Sequence, residues 1–347
     1  MTMSFLKNKF WLIIVFTTLV VAALYGMPQL LIWKKLHGLD RPYKVIQLTH
    51  HSDEAYGHIP IAREIYDGHF SPGDLFFNFN SDRPSLFGPF PLPYALMAFF
   101  IYLMGGDINL AYILAHFIIP PILFLLFYFF GYVLTQKKMW SLFCGFLGVL
   151  TPLAYHLPNA FRSLDNFGNI ALKNFYPGVV TLLPDLFLGR TMDPLFTYLI
   201  FIPVITLLLI FWRMPSKKNA VWAGVGVGAL YYTYFHYWVY TTIVVGLLAL
   251  ITLLQRRKSL ERWRAMLWLA GVAVLMTIPY WINFFQYMRL PSSREVTDGL
   301  GTMEYGRSFR LLQPFSVVFD YIFYLALGLV VYWFWWRGKE RVKQNQA

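Results

Sequence analysis

Apolar runs long enough to cross a lipid bilayer recur along this chain, and they constrain its fold more than any other feature. Most approach the ~20 residues that an α-helix needs to span a ~30 Å hydrocarbon layer. Hydrophobic residues make up 58% of the 347 residues and charged residues 13%, and one water-soluble core cannot bury that much apolar surface. We therefore predict an all-α integral membrane protein, a single polytopic transmembrane domain over residues 1–347. The runs lie near 10–33, 109–135, 139–156, 193–212, 220–235, 237–254, 265–285 and 315–336.

The position of the charges excludes one class of partner and predicts the topology. The net charge is +12, but the basic residues cluster at the ends of apolar runs, which indicates membrane topology and attraction to anionic lipid rather than nucleic-acid binding. The single Cys144 provides neither an internal disulfide nor a cysteine-cluster metal site.

One apolar segment, 88–105, is short and interrupted by prolines, and its placement decides the topology. If it does not cross, the connections at one face hold more than half of the 29 Lys and Arg but only Glu261 and Glu340 among the acids. If it crosses, Lys137 and Lys138 move to the other face and that pattern breaks. We predict eight transmembrane helices, both termini in the cytoplasm, and outer loops over 34–108, 157–192 and 286–314.

The first outer loop carries adjacent carboxylates, Asp53 and Glu54, among several histidines. Such a pair is suited to accept a proton from a hydroxyl group or to hold a divalent cation against a phosphate. The alternative is structural: Ser52 caps a short helix whose first turn favours acids, with Pro60 near its start and Gly68 ending it. Both hypotheses are compatible, because a helix N-terminus is a rigid mount for a catalytic acid.

This part of the chain resembles the GT-C membrane glycosyltransferases, in particular the prokaryotic relatives of protein mannosyltransferases and of the aminoarabinose transferase. The resemblance rests on an acidic pair after the first span, the stretch AREIYDGHF, and the proline-rich FGPFPLPYALMAFFIYLMGG before a long span. In those families the proline-rich piece lies at the outer surface, which agrees with leaving 88–105 out of the membrane. Most members are longer, so the chain is either a minimal member or lacks later spans.

The resemblance implies an inverting transfer of a hexosyl or pentosyl group from a polyprenyl-phosphate donor, at the outer face of a prokaryotic plasma (inner) membrane. Asp53 would be the general base, and Glu54 would assist. His58 and Arg63 are candidates for substrate binding. A divalent cation, Mg²⁺ or Mn²⁺, would be held by Asp53 and by a second acid, for which Asp165 is the best match. The sequence does not determine which sugar is transferred or which acceptor receives it.

Further candidates for substrate binding lie in the later outer segments. Cations near the lipid boundary are suited to bind the phosphate of a donor. The alternative for each is an ion pair with a neighbouring acid, or a side chain that extends from a helix end to the membrane surface. His236 lies in YYTYFHYW, which we predict to be an aromatic turn between two spans, where a hydrogen-bonded belt residue is the alternative. Arg307 lies in the third predicted outer loop. That loop is either a mobile flap over a bound substrate or a solvated connection between two spans. The cations of the second loop are Arg162, Lys173 and Arg190.

Two other functions compete with an enzyme. A transporter or flippase of lipid-linked or amphiphilic substrates usually places ionisable residues at mid-membrane and contains internal repeats. The acids here gather in the outer loops, the midplane is almost free of charge and no clear repeat is found, which favours surface chemistry. A non-catalytic scaffold is the third hypothesis, because no residue is uniquely catalytic by its spacing.

Overall fold

The structure is a computed structural model, and it describes residues 2–38, 58–70, 91–161, 195–254 and 260–289. These residues form α-helices and turns, with no β-strand among them, so the predicted all-α class is confirmed for this part of the chain. The helices are α1 (Thr2–Gly38), α2 (Ile59–Tyr66), α3 (Leu92–Leu103), α4 (Ile108–Thr135), α5 (Lys138–Phe161), α6 (Thr197–Arg213), α7 (Lys217–Leu230), α8 (Phe235–Leu254) and α9 (Leu260–Met288).

Within the described ranges, four helices are long and apolar enough to cross a membrane: the Phe10–Leu31 part of α1, and all of α4, α8 and α9. Helix α6 has 17 residues and α7 has 14, which at 1.5 Å per residue gives about 26 Å and 21 Å. Helix α3 has 12 residues, about 18 Å, which is too short for a crossing and agrees with the prediction for 88–105. The run 315–336 lies outside the described residues.

Several helices extend beyond the apolar runs that predict them. Helix α1 continues to Gly38, α5 to Phe161 and α9 to Met288, so the predicted outer loops begin a few residues too early. The physical reason is that each residue added to a formed helix gains a backbone hydrogen bond without the cost of starting a new helix. The first outer loop is partly helical as predicted, because it contains α2 and α3.

Helix α4 is the centre of one packed group, in contact with α1, α3, α5 and α6. Its side chains Tyr112, Leu123 and Phe124 are fully buried in the larger core cluster. Small residues on α5 allow the close approach: a Cβ atom on Gly145 would lie 2.8 Å from the ring of Phe124. Small residues at an interface let two membrane helices bring their backbones together.

A second core cluster joins α6, α7 and α9. Helix α7 presents glycines on two sides, since a Cβ on Gly226 would lie 3.0 Å from Val204 of α6. A Cβ on Gly228 would lie 2.3 Å from Met276 of α9, and one on Gly224 would lie 2.7 Å from the Leu269 carbonyl oxygen. The spacing of Gly224 and Gly228 is the small-x-x-x-small pattern of close helix pairs in membranes.

The cations at one end of these helices lie together, and we call this the basic end. The Arg213 guanidinium donates to the carbonyl oxygens of Val133 and Leu134, which joins the C-termini of α6 and α4. Three cation–ring contacts bring the N-terminal parts of α1, α5, α7 and α9 into the same basic end. They are Lys138 over Phe10 (5.3 Å), Lys217 over Trp268 (4.2 Å) and Arg262 over Trp212 (4.7 Å).

The chain divides into two compact units, Met1–Tyr287 and Met288–Ala347. The helices above belong to the first unit, apart from the last residue of α9. Nearly all of the second unit lies outside the described residues.

Candidate functional site

Three side chains from distant parts of the sequence meet at the other end of the helices, and we call them the His–Tyr cluster: His58, Tyr94 and Tyr234. The His58 Nδ1 atom lies 2.8 Å from the Tyr94 hydroxyl oxygen. The Tyr234 hydroxyl oxygen lies 2.9 Å from Nε2 and 3.1 Å from Nδ1 of the same ring. Each phenol is within hydrogen-bond distance of the imidazole, so two remote segments fix its position.

The elements that carry the cluster are themselves tied together. His58 occupies the N-cap position of α2, and Pro60 follows within the first helical turn, where a proline costs no hydrogen bond. Tyr94 lies in the first turn of α3 and is 3% exposed. The Leu92 amide donates to the carbonyl oxygen of Tyr232 at 2.9 Å, which fixes the start of α3 to the α7–α8 turn. The Tyr232 hydroxyl donates to the Met276 carbonyl oxygen of α9 at 2.8 Å.

His236 adjoins this cluster, as its predicted substrate-binding role requires. Its ring stacks on that of Tyr234 with centroids 6.0 Å apart and an interplanar angle of 8°. The prediction that it lies in the connecting turn is wrong, because the turn is confined to residues 231–234 and His236 lies in the first turn of α8. The turn is short because the Tyr231, Tyr232 and Thr233 amides all bond back to α7 carbonyls.

Arg63 forms contacts within its own segment. Its Nε donates to Asp67 Oδ2 at 2.9 Å, Nη1 donates to the Gly106 carbonyl oxygen at 3.3 Å, and the guanidinium lies 4.7 Å from the Tyr66 ring centre. The hydrogen bond to Asp67 raises the pKa of Arg63 above its ordinary value. Its side chain is 42% exposed, so a face of the guanidinium stays open to solvent.

The turn between α3 and α4 supports this arrangement. Gly106 has φ of +94°, and a Cβ there would lie 3.0 Å from the Tyr66 hydroxyl oxygen. Only glycine enters this backbone region without strain. Arg63 thereby joins the end of α2 to the beginning of α4, while His58 joins the start of α2 to α3 and the α7–α8 turn.

The chemistry of the cluster is that of polar recognition. A neutral imidazole has one donor and one acceptor nitrogen, and a phenol both donates and accepts. The surrounding rings of Tyr234 and His236 add flat surfaces beside these polar atoms. Such a combination binds hydroxyl groups and anionic oxygens in a partly dehydrated setting.

An apolar groove of about 430 Å³ runs between α7, α8 and α9. Tyr231, the first residue of the turn that also carries Tyr234, is one of its lining residues. Its polar groups are few: the Tyr231 hydroxyl is 3.2 Å from Thr242 Oγ1, and Thr277 bonds to the Val274 carbonyl. The groove therefore offers mainly hydrocarbon contacts, and the residues of the His–Tyr cluster do not line it.

The other predicted site residues lie outside the described residues: Asp53, Glu54, Arg162, Asp165, Lys173, Arg190 and Arg307. The described ranges contain no group of three His, Cys, Asp or Glu side chains that could hold a metal ion. The predicted metal ligands Asp53 and Asp165 are not in those ranges, so the cation stays a prediction.

Three residues were missed by the sequence interpretation. Tyr94 had a local signal, since it ends the proline-rich PLPY segment, whereas Tyr234 is one of many aromatics in an aromatic run. His116 lies inside α4, is 1% exposed, and its Nδ1 lies 2.9 Å from the Tyr112 carbonyl oxygen. A histidine within an apolar run is the signal that identifies it.

No protein-family model matches the chain, and neither the curated proteins nor the solved structures contain a match.

Proposed function

We propose that the chain is an inverting membrane glycosyltransferase that moves a sugar from a polyprenyl-phosphate donor to an acceptor at the outer face of a prokaryotic plasma membrane. In this proposal eight helices cross the membrane and both termini lie in the cytoplasm. Asp53 acts as the general base, taking the proton of the acceptor hydroxyl as that oxygen attacks the sugar carbon. Glu54 assists, and the donor leaves as a polyprenyl phosphate.

The observation that carries the proposal is the attachment of His58 to Tyr94 and Tyr234. Glu54 lies four residues before His58, and Asp53 lies five residues before it. An extended chain covers at most about 3.6 Å per residue, so their Cα atoms lie within about 14 Å and 18 Å of that of His58. The covalent chain therefore limits how far the two acids can be from the His–Tyr cluster, which supports a shared site.

The apolar groove supports a lipid-linked donor. A donor with a hydrocarbon tail needs an apolar channel that leads to the reaction centre, with polar groups only at its end. The groove between α7, α8 and α9 has this apolar character, and its lining includes Tyr231 of the α7–α8 turn. In this proposal His58 and His236 hydrogen-bond the sugar or phosphate of the donor.

The opposite placement of charges supports the orientation. The basic end gathers lysines and arginines from four helices, α5, α6, α7 and α9, whereas the ion pairs of the described residues, Arg63–Asp67 and His69–Glu64, lie on α2 and just beyond it. Short cytoplasmic connections are enriched in Lys and Arg. The basic end is thus the cytoplasmic end, and the His–Tyr cluster faces outward.

The test is the loss of sugar transfer on changing Asp53→Asn. Membranes with the wild-type chain are supplied with radiolabelled polyprenyl-phosphate sugars, one by one, and label in the acceptor fraction is measured. We expect the variant to lose at least 100-fold in rate, since general bases contribute about 10²–10⁴-fold. The matched control is Glu64→Gln, an acid of the same loop that bonds to His69. Wild-type turnover in the Asp53 variant removes that residue from the role of base.

One observation favours the alternative, a transporter or flippase of amphiphilic substrates. His116 is an ionisable side chain buried within the span α4, and such residues mark substrate or proton pathways. Transport is tested in sealed vesicles with a fluorescent polyprenyl phosphate. Movement of the lipid between leaflets that is lost in His116→Ala and kept in Asp53→Asn supports transport over transfer.

A further inference from the structure

The basic end contains a site formed by three helices. Lys217 and Lys218 begin α7, Arg262 and Arg264 lie in the first two turns of α9, and Arg213 ends α6. The contacts of Lys217 with Trp268 and of Arg262 with Trp212 hold the start of α9 against both the α6 end and the α7 start. The cations of separate helices therefore share one surface, which we call the α6–α7–α9 basic site.

The charge of this site is not neutralised within the described residues. Lys217, Lys218 and Arg264 are exposed, and none of the three forms an ion pair there. Glu261 is the single acid in the described part of this surface. Arg213 is already engaged with the Val133 and Leu134 carbonyls, and Lys217 also contacts the Trp268 ring, so Lys218, Arg264 and the exposed part of Lys217 are the cations left to bind an anion.

Tryptophans fix the depth of the site in the membrane. Trp268 is 48% exposed and Trp222 of α7 is 57% exposed, beside the exposed apolar side chains Met214 and Leu267. Indole rings prefer the layer between headgroups and hydrocarbon. The neighbouring cations are therefore at the level of lipid phosphates.

We propose that this basic site binds the headgroup of an anionic phospholipid, with the acyl chains lying along α7 and α9. A phosphate diester at this depth accepts hydrogen bonds from lysine and arginine while its chains cover the exposed Met214 and Leu267. The exposed tryptophans beside the cations place them at the level of lipid phosphates, which is why a lipid headgroup is the better occupant than a soluble anion. The site is independent of the proposed sugar transfer, which takes place at the opposite end of the helices.

The proposal is tested by native mass spectrometry of the full chain, purified in a zwitterionic detergent and titrated with dioleoyl phosphatidylglycerol or dioleoyl phosphatidylcholine. We expect retained phosphatidylglycerol at concentrations where phosphatidylcholine is lost. Each basic residue near an anionic lipid contributes about fivefold in affinity, so the triple variant K217Q/K218Q/R264Q should bind phosphatidylglycerol about 100-fold more weakly.

The control removes exposed cations at the other ends of their helices, in K34Q/R289Q, and is compared with the double variant K218Q/R264Q, for which binding about 25-fold weaker is expected. Lys34 lies near the C-terminus of α1 and Arg289 directly follows α9. We expect less than a twofold change in binding by the control. Equal losses in the two double variants, or equal binding of the two lipids by the wild type, overturns the proposal. Full competition by millimolar glycerol 3-phosphate makes this a site for a soluble anion and overturns it as well.

If the triple variant does not fold, a cross-linking measurement on the wild-type chain tests the proposal instead. A phosphatidylglycerol carrying a photoreactive diazirine in its headgroup is incorporated into vesicles with the protein, and the cross-linked peptides are identified. We expect adducts within residues 213–218 and 260–268. Adducts confined to other segments contradict the proposal.

Discussion

At the scale of single residues, His58 has the strongest influence on how the candidate site is assembled. Its ring is the meeting point of α2, α3 and the α7–α8 turn, with both phenols within 3.1 Å of a ring nitrogen. A net contribution of about 1 kcal/mol is typical of one such hydrogen bond. The cluster therefore both holds the loop helix and limits where the preceding acids can lie.

A double-mutant cycle tests this coupling. Tyr234→Phe removes the hydroxyl and should lower the melting temperature of the detergent-purified protein by about 2 °C. In a His58→Ala background the same change should have a smaller effect, because the imidazole is absent and the Tyr94 hydroxyl, at 3.5 Å, is the partner that remains in the cluster. The measurement is thermal unfolding followed by circular dichroism.

Tyr240→Phe is the matched control, since Tyr240 lies six residues further along the chain, in α8, and is 63% exposed. We expect no change in melting temperature for it in either background. If the effects of His58→Ala and Tyr234→Phe simply add, the two residues are not coupled and the cluster does not anchor α2.

At the scale of elements, the glycines of α7 determine how closely it packs. Gly228 has no room for a side chain against Met276, whereas Gly246 of α8 has nothing within 4 Å of the Cβ position. The two glycines have the same low intrinsic helix propensity, so their difference lies in tertiary packing alone.

This contrast predicts opposite signs for one substitution. Gly228→Ala should destabilise the protein by about 1–3 kcal/mol, because overpacking separates α7 from α9. Gly246→Ala should be neutral or stabilise by up to about 1 kcal/mol through helix propensity. Both are measured by thermal unfolding in the same detergent. A stabilising Gly228→Ala contradicts the close approach of α7 and α9.

At the scale of the whole molecule, the charge arrangement predicts its orientation in the membrane. Helix α4 joins the glycine turn at Gly105 and Gly106 to the turn at Lys137 and Lys138, and it has 28 residues, enough for one crossing. Cations gather at the second of these turns and at the ends of the helices beside it.

Reporter fusions test the orientation. Alkaline phosphatase, which is active only outside the cytoplasm, is fused after Gly106 or after Lys138. We expect activity for the first fusion and none for the second, because α4 crosses between them and the basic turn stays inside. Activity after Lys138 reverses the orientation and moves the His–Tyr cluster to the cytoplasmic face.

The sequence by itself determined the all-α class of the described residues, the short helix before α4, and a helix with Pro60 near its start and Gly68 just beyond its end. These follow from local rules: the length of apolar runs, the placement of Pro60 in a first helical turn, and a glycine where φ is +102°. The expected cap at Ser52 is wrong for this helix, because its N-cap is His58 and its last residue is Tyr66. His58 was identified as a candidate because it lies near Asp53 and Glu54, and His236 because an ionisable group is rare among so many apolar ones.

Only the tertiary structure decided that His58 meets Tyr94 and Tyr234, residues 36 and 176 positions away. Aromatic side chains occur throughout the apolar runs for the sake of the bilayer, so no local pattern separates a phenol that anchors a loop from one that faces lipid. The same holds for Gly228 and Gly246, which differ only in what lies opposite them. Partner choice depends on how helices pack, and that is a property of the assembled bundle rather than of any one segment.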